Sequence, residues 1–96
     1  MSEKIQEIKD KIQPIAESND ISYAAVFGSV ARGDDKPESD LDLLVRFSQP
    51  KSLLDFSRIN DKLNEILGRQ VDLVTERALH PTIKQNIQKE LVTIYG

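Results

Sequence analysis

The sequence predicts an α+β domain: a small mixed β-sheet of three to four strands with helices packed mainly on one face. Two observations carry this reading. Stretches with helical apolar spacing alternate with short apolar runs of strand length, in the order α-β-β-α-β-α-(β), a pattern suited to helices covering a sheet. The chain has 96 residues, of which 39% are hydrophobic and 30% charged, enough for one modest core and one domain over residues 1–96. A domain of this size buries roughly 60–65% of its unfolded surface.

Each element has its own signal. Ile5, Ile8, Ile12 and Ile15 recur at spacings of three, four and three, so residues 3–18 read as an amphipathic helix ended by Ser18-Asn19-Asp20. Residues 21–27, ISYAAVF, form a short and almost wholly apolar run. Gly28 breaks it, opening a short helical turn that Gly33 closes. The polar stretch 34–39, with Pro37, reads as loop. Residues 41–47, LDLLVRF, form the second strand. Ser52 is placed to cap a helix with Asp55 three residues on, and Gly68 stands where a C′ glycine belongs. Between them Phe56, Ile59, Leu63, Ile66 and Leu67 keep the helical period. Residues 70–75, QVDLVT, give a third strand. Pro81 suits a first helical position, with Ile83, Ile87 and Leu91 following at spacings of four. The tail, LVTIY at 91–95, is either a final edge strand or the end of that helix. The isoleucine and leucine stripes read as core.

Composition removes several function classes. Thirteen Lys and Arg against sixteen Asp and Glu give a net charge of −3, so there is no basic excess to grip nucleic acid without regard to sequence. The absence of cysteine excludes disulfide scaffolds, thiolate metal sites and thiol catalysis. MSEKIQEIKD carries charges throughout and resembles no signal peptide, and no apolar run approaches the roughly 20 residues of a membrane span. A cytoplasmic protein with no membrane partner is the expectation.

The chemistry-bearing residues are carboxylates on strands. Asp40 and Asp42 flank Leu41 at the start of the second strand, and residues two apart on a strand point the same way. Leu41, Leu43 and Val45 then face the core, while the two carboxylates are near neighbours that repel unless a cation sits between them. Mg²⁺ favours such oxygens together with waters and substrate phosphates. Asp72 interrupts the third strand between Val71 and Leu73; paired beside the second strand, it completes a three-carboxylate site. Taken alone, a D-x-D at a strand start more often marks an exposed edge or turn. Gly28-Ser29 shifts the balance, because a glycine-serine turn after an apolar strand offers backbone N–H groups and a hydroxyl to phosphate, with Arg32 on the following turn. The lone histidine, His80, reads as a capping or surface residue, and Tyr23 and Tyr95 as packing or edge residues. GSVARG is not a Walker A loop, since Asp34-Asp35 follows it in place of Lys-Ser or Lys-Thr.

Gly28-Ser29 and Asp40-x-Asp42 together fix four residues of roughly 6% usage each, a chance of about 10⁻⁵ per register. GSVARG followed by SDLDLLV, with Ser29 eleven positions before Asp40, resembles the nucleotidyltransferase signature of the DNA polymerase β-like superfamily. VDLVT at 71–75 and ALHPTIKQNIQKELVTIY at 78–95 extend the likeness, which is closest to the minimal nucleotidyltransferase (MNT) proteins and runs from about residue 22 to the C-terminus.

The resemblance implies a two-layer nucleotidyltransferase fold and a role for each matching residue. Gly28 and Ser29 would hold the triphosphate of ATP, with Arg32 as a further contact. Asp40 and Asp42 would bind a pair of Mg²⁺ ions, and Asp72 would be the third acidic residue, a metal ligand or base. It further implies transfer of AMP to a hydroxyl, in particular a Tyr, on a helical HEPN-type toxin, with this chain as the antitoxin. The other reading is a nucleotide-binding or non-catalytic module that neutralises its partner by occlusion.

Overall fold

The central strand is apolar on both faces, and the architecture explains why. In the computed structural model, which describes residues 3–36 and 38–96, the elements are α1 (Glu3–Ser18), β1 (Ile21–Phe27), α2 (Gly28–Arg32), β2 (Leu41–Phe47), α3 (Leu53–Leu67), β3 (Val71–Thr75), α4 (Pro81–Gln88) and β4 (Val92–Tyr95). Pro37, assigned by composition to a loop, lies outside the described residues. The four strands form one sheet in the order β3-β2-β1-β4. β1 pairs antiparallel with both β2 and β4, so its backbone is bonded on both edges, and Ala24, Ala25 and Val26 are all buried. β2 and β3 pair in parallel, as strands joined by a helical crossover such as α3 do.

One face of this mixed sheet carries the main core. Leu41, Leu43 and Val45 of β2, Ala24 and Val26 of β1, Val71 and Leu73 of β3, and Ile94 of β4 pack with α1 and α3. All four isoleucines of the α1 stripe are buried, as are Ile59 and Leu63 of α3. The helix boundaries follow their caps. Ser52 accepts a hydrogen bond from the Asp55 N–H at 3.1 Å, and Gly68 ends α3 at a φ of +65°. Asn64 near the end of α3 accepts the Val71 N–H at 2.7 Å, which fastens the helix to the first residue of β3. α1 runs through Pro14, whose ring faces solvent.

Three features depart from the sequence expectations. The tail is strand β4, with α4 ending at Gln88, so Leu91 lies in the connection and not on the helix. Ile83 is 50% exposed, which removes it from the core stripe assigned to it. β3 is followed by a 3₁₀ turn, Glu76–Ala78, that no periodicity announced. His80 does cap α4, its Nδ1 accepting the Thr82 N–H at 3.2 Å. No helix among the described residues is long and apolar enough to cross a membrane.

Ser52 lies at the far end of β2 from Asp42, so its cap is separable from the acidic cluster. Ser52→Ala is expected to cost about 1 kcal/mol, the usual loss for an N-cap. In a domain of this size that lowers Tm by roughly 4–8 °C, measurable by calorimetry, with nucleotide affinity unchanged.

Candidate active site

Side-chain alternation along β2 sends Leu41, Leu43 and Val45 into the core and Asp42 to the opposite face. The parallel register then sets Asp42 directly beside Asp72. Asp40 sits immediately before β2, where Leu41 donates to the Gln70 carbonyl at 2.9 Å and continues the pairing toward β3. The expected pairing of the second and third strands is thus met, and both expected aspartates on those strands come together at one end of the sheet.

β1 ends at the same place. Phe27 is the register partner of Asp42, and the next residue, Gly28, turns the chain into α2 with a φ of +75°. A Cβ at Gly28 would collide with the Asp42 carboxylate, so this glycine is required twice, by backbone conformation and by space. Gly33 closes the five-residue α2 in the left-handed region. Ser29 is half-buried on its first turn, and Arg32 is half-exposed on its last.

Electrostatics confirm that the acidic groups share one field. Asp42 titrates above the ordinary aspartate range, first because it is partly buried, then because Asp72 and Asp40 add negative charge around it. Arg32 acts in the opposite direction and Glu90 adds to the repulsion. The carboxylates are not closed about a single point: among the described residues no group of three His, Cys, Asp or Glu is poised to hold a metal ion. The donor set is nevertheless of the kind Mg²⁺ takes, one or two carboxylates with the remaining positions left to water and phosphate oxygens.

Sequence reasoning missed Glu90. It lies in the α4–β4 connection, and its carboxylate accepts the Gly28 N–H at 3.2 Å and Arg32 Nη1 at 3.1 Å. Arg32 Nε also reaches Asp34 at 3.4 Å. The loop between α2 and β2 is pinned by Asp35, whose side chain is only 7% exposed and bonds Lys4 of α1 at 2.6 Å. That hydrogen bond holds the Asp35 carboxyl below its usual range. Arg69 supports the same loop by donating to the Ser39 carbonyl just before Asp40. Two concavities lie elsewhere, one around Phe47, Phe56 and Arg77, the other around Pro14, Arg58 and Ile66. The acidic cluster stands at an open sheet end.

The chain thus combines a mixed sheet packed with helices and two carboxylates at adjacent strand positions beside a glycine turn. The pattern of the nucleotidyltransferase domain matches residues 3–94. A Methanocaldococcus jannaschii protein provisionally named a protein adenylyltransferase, MJ0435, is 44% identical over 90 residues, covering 94% of this chain and 97% of its own length. A solved structure provisionally described as a minimal nucleotidyltransferase has a TM-score of 0.77 at 37% identity, covering 88% of this chain and 86% of that one. A structure of a tri-AMPylated Shewanella oneidensis HEPN toxin in complex with MNT antitoxin contains a chain of the same fold, with a TM-score of 0.74 at 21% identity over 96% of this chain and 72% of that one. The chain belongs to the nucleotidyltransferase domain family and is similar within it to the minimal nucleotidyltransferases.

The raised titration of Asp42 has a consequence for stability. A carboxyl that binds its proton more readily in the folded chain favours folding at low pH, and that contribution is lost as pH rises through its folded value. Without nucleotide or divalent ions, Asp42→Asn is therefore expected to melt above the wild type at pH 7. The gap should narrow as pH falls and close below the ordinary aspartate value of about 3.9. Melting curves across that range check it; a variant less stable at pH 7 would make the carboxylate a structural support.

Proposed function

We propose that this chain transfers AMP from ATP, with Mg²⁺, to a hydroxyl on a partner protein, the side chain of a Tyr on a HEPN-type toxin, and so acts as its antitoxin. The observation that carries this reading is the register pairing of Asp42 with Asp72 beside the Cβ-free turn at Gly28. The adenylyltransferase name of the M. jannaschii relative and the AMPylated toxin in the Shewanella complex support the choice of AMP and of a protein acceptor. ATP is a cytoplasmic nucleotide, which agrees with the cytoplasmic expectation.

In this reading Gly28, Ser29 and Arg32 hold the triphosphate, Asp40 and Asp42 hold Mg²⁺, and Asp72 is a further ligand or the base. A divalent cation bound there neutralises phosphate charge and makes the attacking hydroxyl more acidic. The chain's own residues do the positioning. The N–H and hydroxyl of the Gly28-Ser29 turn orient the phosphates, and the guanidinium of Arg32 balances their charge. The acceptor oxygen attacks the α-phosphorus in line, the bond from that phosphorus to the β-phosphate oxygen breaks, and pyrophosphate leaves with the electron pair. The hydroxyl proton passes to a carboxylate, a task suited to Asp72, which is exposed at the sheet end. The open site leaves the acceptor to be held by the partner, seated near residues 28–42.

The test is incubation with labelled ATP, Mg²⁺ and a HEPN-type partner, followed by intact-mass measurement. A gain of AMP on the partner is expected, reduced at least about 100-fold by Asp42→Asn, the scale of losing one preorganised electrostatic group. Tight binding without transfer would instead support neutralisation by occlusion.

Nucleotide and metal are expected to act together in melting experiments. Mg²⁺ prefers sites completed by phosphates, so ATP with Mg²⁺ should raise Tm by more than the sum of the separate shifts. Additive shifts, or none at millimolar ATP, would count against triphosphate at Gly28-Ser29.

A further inference from the structure

The two donors assigned to triphosphate already have an anionic partner within the chain. One oxygen of Glu90 takes the Gly28 N–H and the other takes Arg32 Nη1. The placement follows from topology. β4 runs antiparallel to β1 with Val26 opposite Val92, so the residues preceding Val92 continue past the end of β1 toward Gly28. Glu90 lies in that turn, between the end of α4 and the start of β4, and its side chain is 25% exposed.

A backbone N–H carries one hydrogen and makes one good hydrogen bond. The Gly28 N–H therefore serves either the Glu90 carboxylate or a phosphate oxygen, not both. Glu90 also brings a further negative charge toward Asp42, already surrounded by Asp40 and Asp72. Triphosphate adds more charge of the same sign, so retaining Glu90 beside it is doubly unfavourable. Arg32, with donors to spare and half its side chain in water, is able to exchange one anion for another.

We propose that Glu90 is the resident occupant of the phosphate subsite. Its carboxylate holds Gly28 and Arg32 in place while the site is empty and gives up both donors to the incoming polyphosphate. Glu90 is thus a positioning residue that sets the threshold for nucleotide binding and disfavours weakly charged anions. The proposal rests on the reading of Gly28 and Arg32 as phosphate donors.

The experiment uses the full chain and the variants Glu90→Gln and Glu90→Ala, with Glu90→Asp as a milder change whose shorter side chain cannot span both donors. Melting without ligand is measured first, then calorimetric titration with Mg²⁺-ATP and with Mg²⁺-tripolyphosphate, which has no base. Both neutral variants are expected to melt below the wild type without ligand, because a tether is lost, and yet to bind both polyphosphates about threefold to tenfold more tightly, the net scale of one ordinary hydrogen bond removed as competitor. Glu90→Asp should fall between. The Gly28 amide resonance should differ between wild type and Glu90→Gln without ligand and coincide once polyphosphate is bound. Lower stability with unchanged or weaker binding overturns the proposal, makes Glu90 a tether only, and leaves the phosphate assignment standing, since the wild type still binds. Failure of the wild type to bind either polyphosphate overturns the phosphate assignment and the proposal with it.

Discussion

The register between β2 and β3 is the constraint on which the rest of the site depends. Parallel pairing aligns Leu41 with Val71, Asp42 with Asp72 and Leu43 with Leu73. Apolar partners on either side send their side chains into the core beneath α1 and α3, and that burial forces both aspartates to the other face. A slip of one residue would drive the carboxylates into the core and expose the leucines, an exchange no domain this small can bear. The Asn64 side chain at the end of α3 bonds the Val71 N–H and so fixes where β3 begins. The acidic pair is thus set by the same apolar burial that folds the sheet.

Around that pair the chain is organised to support a local concentration of negative charge. Gly28 yields space to the Asp42 carboxylate, while Asp35 is withdrawn from the cluster into contact with Lys4 and Arg69. Those contacts hold the loop from which Asp40 emerges. Arg32, at the acidic end, is shared between Asp34 and Glu90. Asp42 titrates above the ordinary aspartate range, first through its partial burial and then through the charge of Asp72 and Asp40. Carboxylates brought this close together suit the cation-dependent phosphate chemistry proposed above.

Most of the fold was legible because local signals agreed with one another. The spacing of Ile5, Ile8, Ile12 and Ile15 marked α1, Ser52 and Gly68 bracketed α3, and the alternation at 41–47 separated the core-facing leucines from the aspartates. Asp40 and Asp42, and the Gly28-Ser29 turn with Arg32, were legible from strand period and turn chemistry, whereas Asp72 joined them only on the expectation that the third strand pairs beside the second, as it does. Glu90 was not. Its position depends on β4 joining the free edge of β1, and the tail 91–95 carries both helical spacing and strand composition. Leu91 continues the period of Ile83 and Ile87, yet the helix stops at Gln88, and the strand that follows buries Ile94 and pairs with β1.

That same closure of β4 on β1 ties the segment before β4 to the turn at Gly28. A residue more than sixty positions away in sequence becomes a hydrogen-bond partner of Gly28, so the strand that completes the sheet also brings an anion to the site. Sheet completion and occupancy of the turn are therefore coupled: whatever displaces Glu90 acts on the connection between α4 and β4. α4 buries one apolar residue, Ile87, where α3 buries Ile59 and Leu63 and α1 buries four isoleucines and Ala16. Rearranging α4 and its connection therefore disturbs less buried apolar surface than moving α1 or α3. The segment that buries less apolar surface thus lies beside the Gly28 turn, while Asp42 and Asp72 sit on strands whose register is fixed by core packing.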